Sequence, residues 1–139
     1  MDASASSLCC SVFLRALFLS DFIDVRVLNL ATPGAPPVFM KRVRVHCQDL
    51  KAIDHIARQY ANYNIYMGVA ERRTDKNGKA ENCSAVNALW AGIDLKDYNH
   101  DEIKAVEKLR AFPLKPHIIT KTGGGFHCYW LLAEPLLLT

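Results

Sequence analysis

A chain of 139 residues, half of them hydrophobic and 22% charged, has the length of one domain and the composition of a folded one, which excludes a disordered tail. Its net charge of +3 permits a polyanionic partner without requiring one, so the placement of the basic residues has to decide. Cys9, Cys10, Cys47, Cys83 and Cys128 form neither a C-x-x-C zinc spacing nor an even-numbered disulfide framework, and read as reduced thiols of a cytoplasmic protein.

The apolar run from Leu8 to Phe18 predicts a helix. It lacks a basic opening, and Arg15 interrupts it well short of a bilayer span, so neither a signal peptide nor a membrane partner is expected. In DFIDVRVLNL, Ile23, Val25 and Val27 alternate with Asp24 and Arg26, the pattern of a strand. The breaker ATPGAPP joins it to a second strand, VFMKRVRVHC, in which Arg42, Arg44 and His46 share one face. A hairpin with one basic surface follows. Leu50, Ile53, Ile56, Ala57 and Tyr60 then recur at helical spacing, and NIYMGVA returns to strand. ERRTDKNGKAENCS reads as a surface loop with its tightest bend at Asn77-Gly78, before an extended VNALWAGIDL. NHDEIKAVEKLRAF opens on an N-x-x-E capping pattern, Asn99 with Glu102, and Pro113 and Pro116 end that helix. HIITKT and FHCYWLL close the chain as a hairpin around three glycines. The fold class implied is α+β, an antiparallel or mixed sheet with helices mainly on one face.

Alternation places Leu89, Ala91, Ile93 and Leu95 on one side of their strand and Trp90, Gly92 and Asp94 on the other. In FHCYWLL it separates Phe126, Cys128, Trp130 and Leu132 from His127 and Tyr129. If both aliphatic sets face helices, Asp94 and His127 share the open face. The adjacent pairs His46-Cys47 and His127-Cys128 are poor zinc ligands, because neighbouring strand residues point to opposite faces. Gly123, Gly124 and Gly125 exceed what a hairpin turn requires, and such a run exposes backbone N–H groups to which a phosphate can come close. Lys121, Arg72 and Arg73 could supply charge to a triphosphate, against the plainer reading of a solubilising surface.

NIYMGVAERR, ALWAGIDLKDY, LRAFPLKPHIITKTGGGFHCYWLL and the following AEP, in that order, resemble the primase-polymerase domain of the archaeo-eukaryotic primase superfamily, and among its members the RepB-like primases of plasmids and phages. FIDVRVL is similar to that family's N-terminal strand, so the resemblance implies a primase-polymerase domain, RRM-like in its core, over 21–139, and leaves the N-terminal helix read from the apolar run as a separate segment over 1–20. It further implies primer synthesis or extension from nucleoside triphosphates on a single-stranded DNA template in plasmid or phage replication, with Mg²⁺ or Mn²⁺ as cofactor and a helicase or replication initiator as possible partner. On this resemblance Asp94 is the catalytic, metal-binding acid and His127 the catalytic histidine at the nucleotide phosphates. Arg72, Arg73, Lys121, Thr122, Gly123, Gly124 and Gly125 are nucleotide-binding. Two positions depart from the pattern. Gly92 stands where many members carry a first acid, and the family's third acid lies on a strand beyond Thr139, so a partial domain with its C-terminal part incomplete is expected. The alternative is a catalytically inactive module that binds nucleotide or single-stranded nucleic acid, and the plainest reading is a structural α+β domain whose glycines only make a turn.

Overall fold

Alternating apolar residues build the first strand, β1 (Phe22–Leu28), into a partner for β2 (Phe39–His46), with Phe22 opposite His46 and Val27 opposite Lys41. The computed structural model describes residues 3–29, 36 and 38–139, and for 3–9 the backbone alone. The ATPGAPP breaker therefore lies outside the described residues except at position 36. Helices α1 (Ala3–Leu17), α2 (Leu50–Gln59) and α3 (Glu102–Ala111) accompany β3 (Asn64–Met67), β4 (Ala70–Arg72), β5 (Cys83–Asp94), β6 (Ile118–Lys121) and β7 (Gly125–Leu137). The chain is α+β, its seven strands hydrogen-bonded in the order β2-β1-β4-β5-β7-β6 with β3 on β1. No helix among the described residues is long and apolar enough to cross a membrane.

Two compact units divide the chain, Met1–Asn87 with Leu136–Thr139, and Ala88–Pro135. In the first, Ile23, Val25 and Val27 are buried, as are Leu14, Leu17, Val45, Ile53 and Ile56. Asp49 caps α2 by accepting from the Ala52 N–H. Charged residues supply the corrections to the sequence reading. Asp24, which alternates with the apolar residues of β1, is fully buried, and Glu71 and Arg72, expected in a loop, form β4 and are buried too. Glu71 tolerates burial because its carboxylate is saturated with donors. Oε1 accepts from the Leu19 N–H at 2.6 Å and Asn87 Nδ2 at 2.6 Å, while Oε2 accepts from the N–H groups of Ser20 and Asp21 at 3.2 and 2.7 Å and from Ser20 Oγ at 3.0 Å.

In the second unit α3 packs Ala105 and Leu109 against Phe126 and Cys128, with Ile93, Leu95 and Trp130 at the margin. Of the aliphatic set expected on this face of β5, only Ile93 and Leu95 pack there. Leu89 is 58% exposed, because a ten-residue helix, about 15 Å long, covers only the end of a twelve-residue strand. The helix cap also differs from expectation. Asp101, not Asn99, accepts from the Ile103 and Lys104 N–H groups, because Asn99 takes a left-handed conformation (φ 53°) that closes the 3-10 turn Leu95–Tyr98. Tyr129, expected beside His127 on the open face, is buried opposite Ile118 of β6.

Candidate functional site

The end of β5 and the turn between β6 and β7 bound an open cleft of about 300 Å³ lined by Asp94, Asp97, Thr122, Gly124, Gly125 and His127, together with Gly92 and Ile93. Two neighbouring strands thus bring Asp94 and His127 to one cavity, as their alternation implied. The turn between them is fixed at both sides. The Thr122 N–H donates to the Gly125 carbonyl at 2.7 Å, and the Leu95 N–H donates to the Gly124 carbonyl at 2.8 Å.

The three glycines serve different ends. A Cβ on Gly125 would sit 1.9 Å from the Ile93 carbonyl oxygen, so this glycine is demanded by strand packing. Nothing lies within 4 Å of a Cβ built on Gly123 or Gly124; these two leave space. Gly92 leaves space as well, since a Cβ there would meet only the His127 ring edge, at 3.8 Å. Trp90, 57% exposed, lies two residues along the same face, with its ring centroid 6.4 Å from that of His127.

Asp94 has a structural task of its own. Oδ1 accepts from the Lys96 N–H at 3.0 Å, capping the 3-10 turn, and Oδ2 pairs with Lys96 Nζ at 2.8 Å. The hydrogen bond from the Lys96 side chain, then that from its backbone, holds the Asp94 carboxyl below the usual range, so it is ionised at neutral pH. Asp97 escaped the sequence reading. The D-L-K-D spacing was the available signal, because residues three apart eclipse on a 3-10 turn and set both acids on one side.

Of the remaining sequence candidates, Lys121 is turned to an ion pair with Glu102 at 2.7 Å. Arg72 and Arg73 belong to the first unit and are engaged within it. The Arg72 guanidinium donates to the Ala70 carbonyl, and that of Arg73 to the carbonyls of Glu81 and Leu138. Among the described residues no group of three His, Cys, Asp or Glu side chains is arranged to cage a metal ion. Asp94 and Asp97 are two carboxylates lining the cleft, as many as a cation of the Mg²⁺ type commonly takes beside water and substrate phosphates, but both oxygens of Asp94 are engaged by Lys96. No family model matches this chain, and no curated protein or solved structure matches it either.

Proposed function

We propose that this chain carries the nucleotide site of a primase-type nucleotidyltransferase of the RepB-like plasmid and phage kind, building or extending a primer on a single-stranded DNA template. The observation that carries the reading is the convergence of Asp94 and His127, from adjacent strands, on a cleft whose rim is a glycine turn with open space at Gly124. In this reading the His127 imidazole hydrogen-bonds a phosphate oxygen, Thr122 adds a hydroxyl, and the open turn lets the phosphate chain approach the backbone. Asp94 and Asp97 would hold Mg²⁺ or Mn²⁺ brought in with the triphosphate, where it would neutralise phosphate charge. The exposed Trp90 offers a face on which a base can stack.

The test is binding of a nucleoside triphosphate in the presence of Mg²⁺ or Mn²⁺, followed by primer extension on single-stranded DNA. Asp94→Ala and His127→Ala should each weaken binding by about tenfold or more, the worth of a charge-assisted contact. Binding that neither substitution alters would end the proposal. A module that binds without catalysing is the second reading. It is favoured by Gly92 in place of an acid and by the Lys96 ion pair on Asp94, and nucleotide binding with no extension would select it.

A further inference from the structure

The first unit holds a cavity of about 320 Å³ whose charged lining is Asp24, Arg26, Arg42, Arg44, Lys76 and Lys79. Five cations surround one carboxylate, and among the described residues the one further acid paired to any of these cations is Glu81, 3.5 Å from Lys79 with both side chains exposed. The cluster is built, not merely gathered on a surface. Asp24 Oδ2 accepts from Arg26 Nε at 2.8 Å and pairs with its Nη2 at 2.8 Å, and Oδ1 lies 3.9 Å from Arg44 Nη1. Arg44 in turn donates to the carbonyls of Asp75 and Lys76, fastening the loop that bears Lys76 and Lys79. That loop passes so close that a Cβ on Gly78 would lie 2.8 Å from Asp24 Oδ2. The buried acid therefore sets the arginines in place and leaves an excess of positive charge facing the cavity, where an anion would relieve their mutual repulsion.

The register identifies the kind of anion. Arg42 of β2 pairs with Arg26 of β1, which pairs with Tyr66 of β3, so the three stand in one row across the sheet on one face. Tyr66 is 53% exposed. The Arg42 guanidinium lies 3.8 Å from the centroid of the exposed Phe39 ring. A row of two arginines that ends on an accessible tyrosine ring suits a chain that carries both phosphates and bases, whereas a free phosphate or a lipid headgroup has no use for the tyrosine. We infer that this face of β2, β1 and β3 binds single-stranded nucleic acid, the cations in and around the cavity taking successive backbone phosphates and Tyr66 stacking a base. The surface shares no residue with the Asp94–His127 cleft; the proposed function bears only on which strand is bound.

The experiment titrates the full chain into a fluorescein-labelled oligothymidylate in EDTA, without nucleotide, and follows anisotropy over a salt series. Three or four phosphate contacts give a slope of log K on log salt between about −2 and −3. The pair Arg42→Ala with Lys76→Ala, neither of which contributes a side-chain bond to Asp24, should weaken binding by about tenfold or more and flatten the slope by about 1.4. Tyr66→Ala should weaken binding by about tenfold and leave the slope unchanged. Thermal melting checks that the variants remain folded. Absence of oligonucleotide binding, or affinity unchanged in the double variant, overturns the inference. So does unchanged affinity in Tyr66→Ala, which would leave a plain phosphate pocket, or binding to phosphatidylserine vesicles in preference to the oligonucleotide. Because nucleotide and metal are absent, loss of the nucleotide site in the earlier test leaves this result standing, and the reverse.

Discussion

Replacing Glu71 by Ala removes a fully buried carboxylate and with it the acceptor for five donors that hold the segment following α1. Summing five charge-assisted bonds at about 1.5–3 kcal/mol each would exceed the whole stability of a domain, so the sum is not the answer. Ser20 carries two of the donors and is exposed, so water can replace its bonds, and Asn87 Nδ2 keeps the Leu17 carbonyl at 2.9 Å. What remains is chiefly the Leu19 and Asp21 N–H groups, the second bond of Asn87 and a cavity, together on the order of 4 kcal/mol. For this chain length that lowers Tm by about 12–20 °C, while a stability of roughly 7–20 kcal/mol leaves the variant measurable. Glu71→Gln keeps the volume but turns an amide N–H₂ toward donors, and should cost about 2 kcal/mol.

Acid dependence sharpens the case. Burial pushes the Glu71 carboxyl up, but the N–H groups of Leu19 and Asp21, with Ser20 and Asn87, outweigh it and hold the group below its ordinary value. A lowered folded-state pKa means that the stabilisation is complete above the unfolded value, about 4.3, and drains away as pH falls through the folded one. Urea unfolding from neutral pH to below 4 should therefore show a steeper acid loss in the wild type than in Glu71→Gln. If both substitutions cost less than about 1 kcal/mol and the two pH profiles run parallel, the clamp around Glu71 is not what holds that turn.

Three further outcomes follow from the cleft. Gly125→Ala, driven against the Ile93 carbonyl, should destabilise by about 2 kcal/mol or more, whereas Gly123→Ala, with open space around it, should change stability by less than about 1 kcal/mol; paired thermal melts check the contrast. Lys96→Ala should raise the Asp94 carboxyl pKa, read by NMR titration, because the Lys96 side chain is the chief cause of its lowering, while the bond from the residue-96 N–H remains. Gly92→Asp should fold normally, its Cβ in ordinary contact with His127, and should tighten Mn²⁺ binding by roughly tenfold through an added carboxylate, measured by calorimetry.

The sequence pattern carried most of the elements, though not β4, and the faces of Ile93, Asp94 and His127 around the cleft, because period-two alternation reports directly which side a strand residue takes. Ile93 and Leu95 pack with Phe126 and Cys128, and Asp94 and His127 are left to the opening. What the pattern could not carry were the buried charges. Glu71 is buried only because donors some fifty residues earlier converge on it, a partnership not written in local spacing; Asp24 has one local partner, Arg26 two residues on along the same strand face, and one distant partner, Arg44, that spacing could not reveal. Asn99 misled for a related reason, since an asparagine ahead of a helix serves equally as cap or as left-handed stop, and the preceding 3-10 turn decides. Arg72 and Arg73 read as free cations until the carbonyls that engage them were placed.

The bond from the Leu95 N–H to the Gly124 carbonyl laces one rim of the cleft to the other. Rims tied together in this way leave the opening clear but give it no jaw to swing, and whatever enters finds its walls already set. Association should accordingly follow a single exponential whose rate climbs in proportion to concentration, with no slower isomerising phase behind it.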